Sequence, residues 1–265
     1  MKKPKGLDQT HNFFSAKRID HMVVLKFNEN LLFSATDLKI KQPLFDYLDL
    51  ISKIDDIKVV LLMGSPHKRG CEEYVEFYPR AFETEFGQYA IERLYNAVNQ
   101  FILNIIALNK ITVHADSGKV ISLFLNISLA CNYRVVADNT VFENPCLRLG
   151  LVPKGGGAFF LPKMLGASRA LEILLSEEDI SAQKALELGL VDRLVPTDEL
   201  EDAAMETARA FARKPGTTLS GLKRLLSYSM KDLEGFLRLE NEVLLKIGTS
   251  QEFQKRLREC APDNL

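Results

Sequence analysis

The stretch between residues 122 and 132, SLFLNISLACN, is largely apolar, and Asn126 lies within its first turns. The run predicts a buried helix that opens on Ser122. The first backbone N–H groups of a helix have no partner within it and readily bind anions. An amide one turn beyond such a donor faces the same side of the helix. Asn126 is therefore a candidate hydrogen-bonding group beside an anion site, unless it only satisfies a neighbouring backbone group.

The run Lys154-Gly155-Gly156-Gly157 and a single cysteine are two further candidates. Consecutive glycines ahead of a helix resemble a phosphate cradle, but this run lacks the Lys-Ser/Thr ending of a P-loop. Cys146 is either a nucleophile or a small buried side chain, and cysteine is among the most buried residue types.

The segment SPHKRGCEEYVE, residues 65–76, contains several titratable groups. His67 could exchange protons near neutral pH, although a histidine on a surface loop is more common. Glu72, Glu73 and Glu76 could include a catalytic base, and a solvated acidic turn is the alternative. The residue types alone leave both alternatives open.

Composition excludes several classes of function. The 265 residues include 34 Lys+Arg and 35 Asp+Glu, which leaves a net charge of -1 and predicts no nucleic-acid surface. The start, MKKPKGLDQTHNFF, lacks the apolar run of a signal peptide, and no segment approaches the roughly 20 apolar residues of a membrane span. The four cysteines form no C-x-x-C pair. We therefore expect a cytoplasmic protein with no membrane partner.

Alternating strand and helix patterns must position these candidates. Short β-rich runs predict strands, and the spacing of Ile91, Leu94, Val98, Ile102 and Ile105 predicts one apolar helix face over residues 87–109. Strands separated by helices indicate a parallel sheet. The predicted strands are MVVLKF (22–27), KVVLLMG (58–64), ITVHA (111–115), YRVVAD (133–138) and TVFE (140–143).

The pattern changes after Pro153, where an almost wholly helical part is predicted. Ser181 has the position of a helix N-cap, and the helix that follows it should end at Gly189. We expect a core over residues 1–195 and a helical C-terminal region over 196–265 that packs on the core or on another subunit.

The segment 130–195 resembles the crotonase (enoyl-CoA hydratase/isomerase) superfamily. In that family a Cys-Asp pair, F-G-x-P-E, L-G-x-x-P-G-x-G-G, L-P-x-x-x-G and A-x-x-x-G-L-V follow one another in this order. Here the corresponding stretches are ACN, FENPC, LGLVPKGGG, LPKMLG and ALELGLV. Residues 27–38 and 249–257 resemble the family's N-terminal turn and C-terminal helix more loosely, so the resemblance spans nearly the whole chain.

The resemblance implies an α/β fold, a ββα-spiral core followed by a helical assembly region, built into a homotrimer or hexamer. It also implies two backbone N–H groups, here those of Cys71 and Leu123, that hold the thioester oxygen of an acyl-CoA as negative charge develops on it. The positions that would contact substrate are Ser34, Ala35 and Gly156. Coenzyme A would enter only as part of a substrate, with no cofactor and no metal.

The chain departs from this pattern at several positions. Ser122-Leu123-Phe124 replaces three glycines at the second donor, so we expect bulky side chains in the acyl cleft and weak acyl-CoA affinity. Asn126 and Cys146 replace the two glutamates of hydratases, and neither an amide nor a thiol substitutes for a carboxylate that activates water. Glu29-Asn30-Leu31 replaces the Arg-Pro-Lys that often precedes the substrate turn, which weakens contacts with CoA phosphates.

Two functions remain on this basis. The first is a family member that acts on or binds an acyl thioester, carried by CoA or by an acyl-carrier protein, through a backbone oxyanion hole and without the glutamate-pair hydration route. As an enzyme it would be a lyase, isomerase or hydrolase. Asn126, Cys146 and His67 are then the candidate catalytic side chains, since some decarboxylases and dehalogenases of the superfamily use a histidine near the His67 loop. The alternative is a non-catalytic acyl-binding or assembly subunit.

Overall fold

The main sheet of the computed structural model has seven strands within the residues it describes, 6–28, 31–82 and 87–259. The strand order is β1-β2-β3-β4-β5-β7-β10. The pairs β1–β2 and β2–β3 are antiparallel, and the later pairs are parallel. The strands are β1 Gln9–Thr10, β2 Phe14–Ile19, β3 Met22–Phe27, β4 Val59–Met63, β5 Ile111–Asp116, β7 Tyr133–Ala137 and β10 Arg193–Val195.

A second, three-stranded sheet has the order β6-β8-β9. Its strands are β6 Lys119–Ile121, β8 Val141–Glu143 and β9 Ile180–Ser181. The pair β6–β8 is parallel and β8–β9 is antiparallel. Because the helix that begins at Ser122 follows β6 directly, this small sheet positions the end of β8 next to the start of that helix.

Helices cover both faces of the main sheet. The first group is α1 Leu31–Thr36, α2 Leu38–Ser52, α3 Cys71–Phe82, α4 Gly87–Ala107, α5 Ser122–Ser128, α6 Gly157–Leu165, α7 Ala167–Leu174 and α8 Ala182–Glu187. After a 3₁₀ turn at Thr197–Glu199 come α9 Leu200–Ala212, α10 Gly216–Tyr228, α11 Leu233–Gly248 and α12 Gln251–Glu259.

Local sequence explains the central elements. Every residue of β4, VVLLM, is buried, as a strand covered on both faces requires. The side chain of Asp37 accepts hydrogen bonds from the N–H groups of Lys39 and Ile40 and so caps α2. The five apolar residues predicted to share one face of α4 are all buried. The helix predicted over 87–109 is therefore confirmed.

The C-terminal helices are part of the same core. Helix α9 packs on β4, β5 and β7, where Ala204 and Ala208 are fully buried against the sheet. Helix α11 packs on α4, and α12 packs on α3. The side chain of Ser181 accepts a hydrogen bond from Lys184 N, which confirms the predicted N-cap of α8.

The sequence patterns missed several short strands. β1 and β2 were not predicted, because the β2 sequence FSAKRI carries two basic residues and lacks an apolar run. The sheet is parallel only from β3 onward, and β9 and β10 interrupt the part predicted to be helical after Pro153.

The predicted loss of CoA contacts at Glu29 and Asn30 lies outside the described residues. In the part of the chain that is described, no helix is long and apolar enough to cross a membrane.

Candidate functional site

Asn126 is buried, with 2% of its surface exposed. It connects α5 to residues Lys154, Gly155, Gly156 and Gly157, which we call the glycine turn. Its Nδ2 donates a hydrogen bond to the backbone carbonyl of Lys154 over 2.9 Å. A Cβ at Gly157 would lie 2.6 Å from the same Nδ2, so only glycine allows the turn to approach this amide. The amide thus has a backbone partner in the described structure.

The glycine turn binds a carboxylate of this chain. The N–H groups of Gly155 and Gly156 donate to the two oxygens of Glu240 on α11, over 3.1 and 2.9 Å. Lys154 Nζ lies 2.5 Å from Glu240 Oε2, and both side chains are buried. Gly156 has a φ of 79°, in the left-handed region that favours glycine. The N–H of Gly156, a predicted substrate-binding residue, is therefore already occupied.

A second carboxylate holds the N–H group of Cys71 at the start of α3. Glu143 Oε2, at the end of β8, accepts this hydrogen bond over 2.6 Å, and Glu143 is 9% exposed. Gly70 allows the contact, because its φ is 67° and a Cβ there would lie 2.2 Å from the same oxygen. Burial, together with the Glu143 carboxylate, raises the pKa of the Cys71 thiol to about 12. The thiol is therefore protonated at neutral pH.

Cys146 is fully buried among hydroxyl groups. Its Sγ lies 3.6 Å from Ser122 Oγ and 3.7 Å from Tyr74 Oη. Tyr74 continues the hydrogen-bonded chain to Tyr78 and Tyr95, over 3.1 and 2.9 Å. Burial raises the pKa of the Cys146 thiol and also raises those of the three tyrosines well above their ordinary value. All four groups are neutral at physiological pH.

The face of α5 that carries Ser122 and Asn126 lines a small cavity together with Glu143. Cys146 contacts Ser122. The structure thus places one predicted side chain, Asn126, in the same cavity wall as Glu143, a carboxylate that the sequence reasoning missed. Glu143 occupies the glycine position of the F-G-x-P-E motif. This departure from the motif could have identified Glu143 as a site residue from the sequence.

The opposite face of α5 borders a much larger pocket, which we call the apolar pocket. Leu123, Phe124 and Ile127 line it from α5, and Ala35 lines it from α1. The cavity volume of this pocket is about 110 Å³, and its wall is mostly apolar, as in small-molecule sites. The remaining apolar residues of the lining are Phe13, Phe27, Leu31, Leu32, Leu44, Phe45, Leu62, Leu94, Ala97, Val98, Phe101 and Cys131.

Polar side chains line one part of this pocket, where β4 and β5 end. Lys68 and Asp116 form a buried ion pair, and Lys68 Nζ also donates to the carbonyl of Ser65 over 2.8 Å. His114 is nearby, with 12% of its side chain exposed, and burial lowers its pKa to about 4. The sequence reasoning missed this group, although polar residues at the carboxyl end of a buried parallel strand are a signal for a site.

The other predicted site residues lie apart from this pocket. His67 is exposed on the loop after β4 and lines an open groove that shares Gly64 and Ser65 with the apolar pocket. Ser34 is half-buried in α1, where its carbonyl accepts a hydrogen bond from Asp37 N. Within the described ranges, no cluster of three or more His, Cys, Asp or Glu side chains has the arrangement of a metal site.

Comparisons with known proteins give one consistent family. The family model described as enoyl-CoA hydratase/isomerase matches residues 81–259. The probable enoyl-CoA hydratase EchA17 of Mycobacterium tuberculosis H37Rv is 37% identical over 121 residues, and its counterpart in Mycobacterium bovis BCG matches equally. That match spans less than half, 46%, of this chain and of each relative.

Solved structures match over nearly the full length. An enoyl-CoA hydratase from Bacillus halodurans superposes with a TM-score of 0.78 at 18% identity and covers 93% of this chain and 99% of its own. An enoyl-CoA hydratase/isomerase from Pseudoalteromonas atlantica T6c gives 0.76 at 21%, covering 96% and 98%. Pseudomonas aeruginosa DspI gives 0.71 at 20%, covering 97% and 96%. These likenesses confirm the predicted crotonase-like α/β fold with C-terminal helices.

Proposed function

This chain belongs to the enoyl-CoA hydratase/isomerase family, and on that basis we propose that it binds an acyl thioester without hydrating it. The observation that carries the proposal is the hydrogen bond from Cys71 N–H to Glu143 Oε2, at 2.6 Å. In the family resemblance Cys71 supplies the first oxyanion donor. A carboxylate therefore stands where the thioester oxygen of a substrate would gain negative charge.

Two negative groups on one donor repel each other, and the repulsion grows in a site that excludes water. Glu143 would therefore destabilise the enolate that hydratases form and remove the stabilisation of about 3–4 kcal/mol that an oxyanion donor provides. The second proposed donor, Leu123 N–H, lies in the first turn of α5. We propose that an acyl thioester binds beside this pair with its carbonyl only weakly held.

The two positions that carry glutamates in hydratases support the same proposal. The amide of Asn126 donates to the Lys154 carbonyl, and the buried thiol of Cys146 has a raised pKa. Neither group can accept a proton from water near neutral pH. We propose that the acyl chain passes the first turn of α5, where Leu123 supplies the second donor and also lines the apolar pocket, and that the chain is held in that pocket.

An enzymatic alternative is favoured by one observation. Glu143 lines the small cavity with Ser122 and Asn126, so its carboxylate is close to the positions at which family members move protons. In this alternative Glu143 is the base of an isomerase, and the Cys71 donor becomes free when substrate displaces the carboxylate.

One experiment separates these functions. Octanoyl-CoA is titrated by calorimetry into the natural chain and into Glu143→Ala, and hydration of crotonyl-CoA and isomerisation of 3-octenoyl-CoA are assayed with both proteins. We expect weak binding to the natural chain and no turnover with either protein. Binding to Glu143→Ala should be at least about tenfold tighter, because the variant lacks a repulsion between carboxylate and thioester oxygen of at least about 1.4 kcal/mol. Glu178→Ala removes a carboxylate at the exposed rim of the same cavity and should leave the affinity unchanged.

Two outcomes would contradict the proposal. Isomerase turnover that Glu143→Ala abolishes would establish the enzymatic alternative. Absence of octanoyl-CoA binding to both proteins would exclude binding of a plain acyl thioester at this site. We further propose, from the resemblance, a homotrimer or hexamer, and from the cysteine spacing a cytoplasmic location.

A further inference from the structure

One part of the wall of the apolar pocket is polar, and the proposed thioester binding does not use these polar side chains. Ser65, Lys68, His114 and Asp116 line it, and the rest of the wall is apolar except for Lys41. Such groups in an otherwise apolar pocket orient a ligand by hydrogen bonding. Which kind of ligand group they fit follows from their charges and from the bonds they already make.

The ion pair leaves this part of the pocket without net charge. Lys68 Nζ and Asp116 Oδ1 are bonded to each other, and Asp116 Oδ1 also accepts from Ser117 N over 2.9 Å. A Cβ on Gly64 would lie 2.3 Å from Asp116 Oδ1, so glycine is needed for the carboxylate to fit. An anionic group placed here would gain little from a lysine that is already neutralised and would be repelled by Asp116. Lys41, the other lysine of the lining, donates to the Arg93 carbonyl over 3.5 Å, and burial lowers its pKa, which disfavours its charged form.

The imidazole of His114 is the group with unused hydrogen-bonding capacity. Its ring nitrogens have no hydrogen-bond partner among the described residues, and Asp116 Oδ2 lies 3.9 Å from Nε2, beyond hydrogen-bond range. Burial keeps the ring neutral, with its pKa lowered to about 4, so one nitrogen donates and the other accepts. The side chain is 12% exposed, so a ligand in the pocket can reach these nitrogens and hydrogen-bond to them.

Ser65 lies in the same wall and is 2% exposed as a whole residue. Its oxygen accepts from His67 N over 3.3 Å, and its hydrogen has no protein acceptor within the part of the chain that the structure describes. A second donor therefore borders the same space as His114.

We propose that the apolar pocket binds a ligand whose hydrocarbon chain carries one uncharged hydrogen-bonding group, such as a hydroxyl, placed against His114 and Ser65. This inference deepens the proposed function by naming the class of acyl chain: an oxygenated chain, rather than a plain alkyl chain or one that ends in a carboxylate. A site built to bond a hydroxyl discriminates against the analogue that lacks it, because its own polar groups then remain unpaired.

The test uses small probes without a thioester, so that it is independent of CoA binding. The dye N-phenyl-1-naphthylamine is loaded into the full chain and displaced with 1-octanol, 1-chlorooctane or octanoate. The ratio of octanol to chlorooctane affinity is compared between the natural chain, His114→Leu and Ser65→Ala. Comparing the ratio between proteins cancels the different hydrophobicity of the probes.

We expect the ratio to fall about fivefold to tenfold in His114→Leu and less in Ser65→Ala, the effect of losing one neutral hydrogen bond. His21→Leu is the matched control, because His21 is exposed and does not line the apolar pocket, and its ratio should equal that of the natural chain. Octanoate should displace the dye more weakly than octanol.

A second measurement covers the case in which His114→Leu fails to fold. The chain has four histidines, so imidazole nitrogen resonances can be resolved in the natural protein. Octanol should shift those of His114 and leave those of His67 in place, whereas chlorooctane should leave both in place.

An unchanged ratio in His114→Leu, tighter binding of octanoate than of octanol, or no His114 shift with octanol would each overturn the inference. If the predicted pattern holds but octanoyl-CoA does not bind, the oxygenated-ligand site stands and acyl-thioester binding fails. If octanoyl-CoA binds but the predicted pattern is absent, acyl-thioester binding stands and the oxygenated-ligand site fails.

Discussion

At the level of single residues, carboxylates of this chain accept hydrogen bonds from backbone N–H groups that could otherwise bind a ligand. Glu143 holds Cys71 N–H, and Glu240 holds the N–H groups of Gly155 and Gly156. A carboxylate of the same chain loses no translational freedom when it binds, so an external anion must compete against a pre-organised group. The Cys71 donor and the glycine turn are thereby satisfied internally.

His114 should make the stability of the protein depend on pH in the acidic range. Its pKa is lowered from 6.5 to about 4 by burial, so below pH 6.5 the unfolded chain binds more protons than the folded chain. Stability present above pH 6.5 is therefore lost as the pH falls toward 4. The loss from this residue is about 3 kcal/mol at pH 4. Urea unfolding of the natural chain and of His114→Leu at pH 7, 5 and 4 measures it.

In His114→Leu this part of the pH dependence should disappear, so the stability of the variant relative to that of the natural chain should rise as the pH falls. Asp116, Lys68 and Arg134 face the imidazole and shift its pKa, so their titration is the main source of deviation. His67→Gln, at an exposed site, should follow the natural chain. Parallel curves for His114→Leu and the natural protein would contradict the prediction.

Among the elements, α5 divides the site in two. Ser122 and Asn126 face the small cavity that contains Glu143, and Leu123 and Ile127 line the apolar pocket. Residues three and four apart share a face, so a helix of seven residues can line two spaces at once. The glycine turn then joins α5 to α11 through Asn126 and Glu240.

The junction of the glycine turn and α11 depends on a buried ion pair, so single substitutions there should be severe. Glu240→Ala leaves the Lys154 amine in the core with no carboxylate and only Asn99 Oδ1 as an acceptor, and two N–H groups lose their acceptor. We expect a loss of about 3–5 kcal/mol in the free energy of unfolding. Combining Lys154→Met with Glu240→Gln removes both charges but keeps an acceptor, and should cost much less than Glu240→Ala.

Urea unfolding of the single and double variants measures the coupling between the two positions. Asp49→Ala breaks the exposed pair with Lys53, whose side chains are 64% and 69% exposed, and should cost no more than about 0.5 kcal/mol. A double variant as unstable as Glu240→Ala would show that charge burial is not the cause.

For the whole molecule, helix α10 presents an apolar surface that no described part of the chain covers. Leu222, Leu225, Leu226 and Tyr228 are 50%, 73%, 60% and 76% exposed. Contiguous exposed apolar side chains commonly mark an interface. The surface lies in the region that the sequence assigned to assembly, residues 196–265.

We therefore predict particles of three or six times 29.9 kDa by light scattering at micromolar concentration. Leu225→Glu combined with Tyr228→Glu should shift the mass downward, because burying two carboxylates in an apolar interface is unfavourable. Leu171→Glu places the same charge on exposed α7, outside the predicted assembly region, and should leave the mass unchanged. A monomeric natural chain would refute the assembly prediction.

Local patterns in the sequence were sufficient to predict the main helices and strands and to indicate the family. The run VVLLM predicts β4 because a strand buried on both faces needs nearly continuous apolar residues, and the five spaced apolar residues predict the buried face of α4. The ordered motifs of residues 130–195 indicated the family that residues 81–259 match. Periodicity and motif order are short-range properties that a single sequence displays directly.

Only the tertiary structure decided which groups meet at the site. Glu143 lies 72 positions from Cys71, and Glu240 lies 84 positions from Gly156. No periodicity connects residues so far apart, because their contact depends on how β8 packs beside α3 and how α11 packs on the glycine turn. The polar wall at His114 and Asp116 likewise exists because β4 and β5 end side by side. The sequence determined which elements form, and their packing determined which donors are already occupied and where a ligand can bind.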